Sequence, residues 1–304
     1  IETIVNDEAT TPTVSTSDSF ETEKMIRGVA HPIVAAPETI PQAIEEVQLS
    51  QEDLNGDTLY MSEFDPQKVN IIVARPSTDD GNWHTPERQI VEIMFNNNVA
   101  MGKTVLAGTN TDYFGAFGPE GTTIIDGILI HLGARVTFVV YWDGRVEIKL
   151  VLQEDVDKEN IRNAIGGGPE IMQTVNGLTR IASRNDGIVQ EDEIDLDQLS
   201  QGFKTDDEKQ FPFRKYTYRN PYEQQIIAYK NNPDGSQKVV IATAGNSSAY
   251  DMVKRLRDDH AYQYAMCLDG GGSTQSFIRN DETGLAQPIY VSRKDGGARA
   301  VANA

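Results

Sequence analysis

Tyr264-Ala265-Met266-Cys267-Leu268-Asp269-Gly270-Gly271-Gly272-Ser273-Thr274 is a short apolar run that ends in a carboxylate, three glycines and two hydroxyls. Such a run reads as a buried strand whose end opens into a loop. Glycine lets the chain take positive φ and lets a ligand approach the backbone closely. Consecutive N–H groups in such a turn can form an anion-binding nest. Asp269 then sits at the mouth of the nest and the hydroxyls of Ser273 and Thr274 at its exit. The pattern points to an anionic or polyhydroxylated ligand beside a carboxylate. A tight turn capped by its own aspartate fits the same residues equally well.

Working outward, Asn246 to His260 reads as an amphipathic helix, with Asn246, Ser247 or Ser248 as cap and Ala249, Met252, Val253 and Leu256 on one face. It is expected to pack against the strand that leads into Asp269. Gln287 to Ser292 reads as a strand. Two hairpins are expected, one pairing Val136–Tyr141 with Arg145–Leu152 around Trp142-Asp143-Gly144. The other pairs Gln225–Tyr229 with Lys238–Thr243 around Asn232-Pro233-Asp234-Gly235. Leu59 to Phe64, Val69 to Ala74, Val105 to Gly108 and Thr122 to Ile125 read as further strands, and Ile128 to His131 continues past the Asp126-Gly127 turn. Thr85-Pro86-Glu87 is a helix start, followed by Ile90, Ile93, Met94 and Asn97 at helical spacing. Asp157 to Ala164 reads as a short helix stopped by Gly166-Gly167-Gly168-Pro169. No period of 20–50 residues repeats, so a solenoid or propeller is not expected. The fold class is α+β, with mixed, mostly antiparallel sheets, hairpins and a few packed helices.

The chain has 304 residues, enough for one large domain or two modest ones. Residues 1–47, rich in Thr, Ser, Asp and Glu at the start, read as an arm and lead-in segment. Residues 48–304 read as the domain proper, with an acidic surface insertion at about 183–212. A net charge of −19 argues against nucleic-acid binding, which feeds on Lys and Arg. No apolar run approaches the length that a membrane helix needs. The one cysteine, Cys267, excludes an intrachain disulfide, and its place in a buried strand suits an inert small hydrophobe. The four histidines are widely spaced and support no zinc site. No cofactor is expected. Calcium is the one metal that the acidic groups could suit, and no spacing demands it.

The residues left to carry chemistry lie at strand ends: Asn110 and Asp112 after one, Asp269 after another, then Gly166–Gly168, Arg219 and Arg299. Carboxylate pairs serve glycoside chemistry, one protonating a leaving oxygen while the other attacks or activates water. Arginines and glycine nests suit phosphate. If these ends converge, the ligand is a sugar phosphate.

These residues carry a family resemblance. Leu268-Asp269-Gly270-Gly271-Gly272-Ser273-Thr274 is similar to the LDGGGSST signature of the phosphodiester glycosidase family, which includes the uncovering-enzyme domain. Gly108-Thr109-Asn110-Thr111-Asp112-Tyr113-Phe114 resembles the family's G-x-N-x-x-(F/Y)-F segment, and Pro119-Glu120-Gly121 to Asp126-Gly127 its P-x-G…DG stretch. Ala164 to Pro169 resembles its GGGP turn and Gly296 to Asn303 its closing R-x-V-x-N, all in family order. The chain departs at Thr274, where the family has its second serine, at Gln275, where a hydroxyl residue is usual, and at Cys267, where Asn is common. Arg219-Asn220-Pro221 matches the family's arginine segment only loosely.

The resemblance implies a hydrolase that cleaves the glycosidic bond of a sugar-1-phosphodiester such as a GlcNAc-1-phosphodiester. The expected location is secreted, periplasmic or cell-surface. Asp269, Asp112 and Asn110 are the expected catalytic residues. Gly270, Gly271, Gly272, Ser273, Thr274, Gly166, Gly167, Gly168, Arg219 and Arg299 are expected to hold the substrate and its phosphate. The alternatives are a carbohydrate- or envelope-binding module without turnover and a phosphodiesterase that cuts the P–O bond.

Overall fold

The computed structural model describes residues 46–76, 90–115, 118–183, 190–194, 218–292, 299–301 and 304. The expected N-terminal arm, the helix start at Thr85-Pro86-Glu87, most of the acidic insertion and most of the closing motif lie outside them. All described residues belong to one compact unit, Ala36–Ala304.

An eight-stranded sheet forms the centre. Its order is β1 (Val47–Leu54), β2 (Asp57–Phe64), β15 (Gln237–Ser247), β14 (Tyr222–Asn231), β16 (Tyr264–Cys267), β11 (Glu170–Val175), β12 (Leu178–Ala182) and β13 (Glu193–Ile194). Every pairing is antiparallel except β12 with β13. A five-stranded antiparallel sheet lies against it, in the order β7 (Ile128–His131), β6 (Thr123–Ile125), β10 (Ile161–Gly166), β8 (Val136–Tyr141) and β9 (Val146–Leu150). A third sheet joins β18 (Ala286–Val291), β17 (Gln275–Arg279) and β3 (Ala107–Thr109), and a small ribbon joins β4 (Phe114–Gly115) to β5 (Gly118–Pro119). With three α-helices among the described residues, the α+β expectation becomes a mainly β architecture.

Strand alternation explains how the layers share one sheet. Ile226, Ala228, Ala265 and Cys267 face a core completed by helix α3 (Ala249–Asp258). Ile227, Tyr229, Met266 and Leu268 face the five-stranded sheet, where Phe138, Val140 and Ile165 meet them. Residues 226–229 of β14 and 265–268 of β16 and its exit are therefore buried on both faces, which is why these stretches are continuously apolar. Helix α3 forms as its sequence predicts. Ser248 caps it, its Oγ accepting the Asp251 N–H at 3.1 Å. Ala249, Met252, Val253 and Leu256 form its buried face. Burying each of the three larger side chains is worth roughly 1.5–3 kcal/mol, against about 1 kcal/mol for the cap.

Three expectations are corrected. Ile161–Gly166, part of the expected helix 157–164, is strand β10, and the helix of this region is α2 (Gln153–Lys158). The spacing of Ile161, Ala164 and Ile165 at three and four suits a helix as well as a strand buried on both faces; here Ile165 serves the core between the sheets while Ile161 and Ala164 serve the outer one. Val69–Ala74 is extended but joins no sheet. Val69, Ile71 and Val73 pack onto the core, the Ile71 carbonyl accepts from Asn163 Nδ2, and Ala74 exchanges backbone bonds with Ala304. Helix α1 (Val91–Ala100) buries Val91, Met94, Phe95 and Asn98 and leaves Ile93 outside, because its partners are Phe277 and Val301 on one side only. It also runs through Asn96–Asn98 before ending at Met101.

Candidate active site

The ends of β3, β10 and β16 meet the start of β8 and the segment that leads into β6. There, backbone bonds lock the segment after β3 to the segment after β16. The Asp269 N–H donates to the Thr111 carbonyl at 2.8 Å, and the Tyr113 hydroxyl donates to the Leu268 carbonyl at 3.1 Å. Asn110 completes the lock. Its Nδ2 donates to the Asp269 carbonyl at 2.7 Å and its Oδ1 accepts the Gln275 N–H at 2.8 Å. Both ends of this buried amide are thus engaged with backbone.

Asp112 is 2% exposed. The Gly121 N–H donates to its Oδ2 at 2.8 Å, while Oδ1 meets no hydrogen-bond partner among the described residues. Gly121 and Gly166 make this burial possible. An ideal Cβ on Gly121 would stand 2.5 Å from Gly166 Cα, and one on Gly166 would stand 2.6 Å from Asp112 Oδ2. Only two glycines let the backbones close over the carboxyl. Burial raises the Asp112 pKa from 3.8 to about 8, against the lowering effects of the Gly121 N–H and the Arg135 charge. Glu120 and Asp269 push it further up.

Asp269 is only partly buried. Burial lifts its pKa to about 6, while the Ser273 hydroxyl, Arg299 and Arg135 draw it down. Burial therefore makes Asp112 hold its proton to higher pH than Asp269 does. Such a split separates a proton donor from a base or nucleophile.

The glycine turn after Asp269 forms a 3₁₀ helix, Gly271–Ser273, with Gly271 in the left-handed region at φ 61°. Ser273 and Thr274 donate their N–H groups to the Gly270 and Gly271 carbonyls. The leading N–H groups of such a turn have no partner within it. Both hydroxyl side chains are fully buried. The Gly166–Gly168 turn is arranged otherwise: Gly167 and Gly168 donate to the carbonyls of Val136 and Cys267. These two N–H groups are engaged in the fold, and Gly166 serves Asp112 by its lack of a side chain.

Two arginines act on the carboxyls. Arg299 lies over the Phe114 ring at 5.2 Å and acts on Asp269. Arg135, which no motif marks, acts on both Asp112 and Asp269. Arg219 lies at the turn before β14, where its charge acts on Tyr218. Gln275, at the place where the family pattern has a hydroxyl, also clips the region together. Its Nε2 donates to the Arg299 carbonyl at 2.6 Å and its Oε1 accepts the Val91 N–H at 3.1 Å. Cys267 is fully buried, with its thiol pushed up to about 12 by burial, as befits a packing residue.

An open cavity of about 410 Å³ elsewhere on the five-stranded sheet is lined by Tyr141, Glu147, Lys149 and Glu159. The Tyr141 hydroxyl engages both glutamates there, and Lys149 pairs with Glu159. It includes none of the residues of the family pattern. No group of three or more His, Cys, Asp or Glu among the described residues is placed to hold a metal ion. No helix among them is long and apolar enough to cross a membrane.

No family model matches the sequence, and no curated protein matches it. Solved structures do match in fold. The catalytic domain of zebrafish N-acetylglucosamine-1-phosphodiester α-N-acetylglucosaminidase, solved in a form auto-inhibited by its pro-peptide, aligns with a TM-score of 0.59 at 18% identity. That alignment covers 88% of this chain and 84% of the other. A hypothetical protein from Synechocystis aligns with a TM-score of 0.47 at 11% identity, over 84% of this chain and 60% of that one. The chain thus shares its fold with a phosphodiester glycosidase domain.

Proposed function

We propose that the protein is a hydrolase of sugar-1-phosphodiesters that cleaves the bond between the anomeric carbon and the phosphate oxygen. The observation that carries this reading is the pair Asp112 and Asp269, brought together with Asp112 buried where the close approach of Gly121 and Gly166 covers it and Asp269 partly exposed. The shared fold and the LDGGGS resemblance support it. Asp269, ionised and partly exposed, is the group that meets the anomeric carbon or the attacking water. Asp112 keeps its proton behind it and supplies it as charge develops on the leaving oxygen. Water divides between the products, its hydroxyl going to the anomeric carbon and its proton to the phosphomonoester. Phosphate leaves readily, so the proton from Asp112 carries less of the barrier than in an ordinary glycosidase.

Asn110 is a positioning residue in this reading, fixing the Asp269 loop from behind. Gly270–Gly272 and Arg299 receive the phosphate. No cofactor takes part. A substrate in the cell envelope or among exported glycans, and a secreted or periplasmic location, belong to the same proposal.

Asp269→Asn tests it. Turnover of a GlcNAc-1-phosphodiester is expected to fall by about 10²–10⁴-fold with the fold unchanged by circular dichroism. Wild-type-like turnover in this variant would sink the assignment. Hydrolysis in ¹⁸O-labelled water separates the alternatives. Label in the sugar supports the glycosidase, label in the phosphate a phosphodiesterase, and binding without turnover a recognition module.

A further inference from the structure

We infer that Arg135 and Arg299 form a two-arginine clamp for the substrate's phosphate, each guanidinium laid on one of the two rings that follow Asp112 in the chain. This inference rests on the reading of the site given above and adds Arg135 to its substrate-recognition residues.

Asp112-Tyr113-Phe114 presents a carboxyl and two aromatic plates in succession. Arg135 Cζ stands 4.6 Å from the Tyr113 centroid and Arg299 Cζ 5.2 Å from that of Phe114. The two cations come from loops far apart in sequence, yet neighbouring residues seat them beside one carboxyl pair. The Tyr113 plate is itself fixed, through its hydroxyl, to the carbonyl just before Asp269.

Arg135 is held more tightly than a surface arginine. Its loop is pressed onto the segment that covers Asp112: an ideal Cβ on Gly133 would stand 2.5 Å from the Gly121 carbonyl carbon. Thr122 Oγ1 bonds both the N–H and the carbonyl of Gly133 at 3.1 Å, and Thr137 Oγ1 donates to the Arg135 carbonyl at 3.0 Å. Glu120 Oε2 accepts from Nε at 3.0 Å and from Nη2 at 2.5 Å. The Arg135 side chain is 14% exposed. A guanidinium fixed in this way loses little freedom when it meets a phosphate, and its delocalised, planar charge suits a phosphate better than a lysine's mobile ammonium. Arg299 is exposed; its backbone is pinned by Gln275 and its guanidinium rests on the Phe114 ring.

Charge balance points the same way. With Asp112 neutral, the two arginines balance Asp269 and Glu120. A phosphodiester adds one negative charge next to Asp269, and its phosphomonoester product adds more. Without both cations the anion would meet Asp269 uncompensated. The Gly166–Gly168 turn does not supply that compensation, since Gly167 and Gly168 are engaged with backbone carbonyls.

The test is calorimetric titration of the full chain with inorganic phosphate, alongside turnover of a GlcNAc-1-phosphodiester. Arg135→Ala is expected to weaken phosphate binding about 10- to 100-fold, as loss of charge-assisted hydrogen bonds does. Arg299→Ala should weaken it less, because that side chain is solvated. In turnover, KM should rise by a larger factor than kcat falls, a split that a merely structural role would not produce. Arg135→Lys, which keeps the charge and the packing stem, is expected to bind phosphate with intermediate affinity. Phosphate affinity within twofold of wild type in Arg135→Ala or Arg135→Lys, at unchanged melting temperature, overturns the clamp. So does a wild-type chain that binds no phosphate. Arg135-dependent phosphate binding by a chain that turns over no sugar phosphodiester would remove the glycosidase reading and leave the clamp standing.

Discussion

Replacing Asp112 with Asn should make the protein more stable at neutral pH while disabling it. The native carboxyl keeps its proton to about pH 8, whereas the unfolded chain releases it near the ordinary value of 3.8. Between those values the unfolded state binds fewer protons than the native one, so native stability falls as pH rises. Below about pH 3.8 both states are protonated and the contribution is constant. Each unit of the interval is worth 1.36 kcal/mol, so burying this acid costs roughly 4 kcal/mol at pH 7 as an upper figure. Asn has the shape of the protonated acid, its amide oxygen can accept the Gly121 N–H, and it does not titrate. Asp269 and Glu170, the latter also raised to about 8 by burial, titrate in both proteins and cancel in the difference. Urea denaturation of both proteins from pH 4 to pH 8.5 gives the readout. The variant should match wild type near pH 4 and gain on it by about 1 kcal/mol per unit above that. At pH 7 the melting temperature should rise by several degrees for a domain of this size. Stability curves that run parallel across the range would refute the reasoning, because they would mean that Asp112 is not held protonated.

Three further outcomes follow from the same geometry. The pH profile of kcat/KM should be bell-shaped, rising as Asp269 ionises near pH 6 and falling as Asp112 loses its proton near pH 8. Arg135→Ala should move both limbs to higher pH, since that cation favours both anions, and limbs that stay in place would count against the assigned contacts. Gly166→Ala should cost about 1–3 kcal/mol by overpacking and, by displacing Asp112, about 10²-fold in kcat. A variant with native turnover would show that the Gly121–Gly166 approach does not set the carboxyl's position.

Much of the architecture was legible residue by residue. Trp142-Asp143-Gly144 and Asn232-Pro233-Asp234-Gly235 marked the β8–β9 and β14–β15 hairpins because turns of this kind need residues that accept unusual φ. Ser248 and the spacing of Ala249, Met252, Val253 and Leu256 marked α3 because both signals lie within one helix. Ile161–Gly166 misled because Ile161, Ala164 and Ile165 lie three and four positions apart, a helical spacing, whereas in the strand they serve two different cores. Val69–Ala74 misled for the opposite reason: it has a strand's composition, yet side chains and the chain's last residue satisfy its backbone in place of a ladder. The β11–β12 hairpin around Asn176-Gly177, β1 and β17 were overlooked, though Asn-Gly is a strong hairpin signal.

The family resemblance placed Asn110, Asp112 and Gly166 in one pattern with Asp269, while the residues themselves determined that a buried strand would deliver Asp269 into a glycine loop. Local preferences are enough for that, since a strand end, a turn and a run of glycines are each set by a few neighbouring residues. Tertiary structure decided what those residues do. Asn110 and Asp269 stand 159 positions apart, and only the packing of the sheets makes the amide a clip for the Asp269 loop. The same packing desolvates Asp112 beneath two glycines, leaves Asp269 partly solvated, and lays Arg135 on the Tyr113 ring. Desolvation and charge pairing depend on what surrounds a group in space, and a lone arginine before an apolar strand carries no local mark of the carboxyls it will meet.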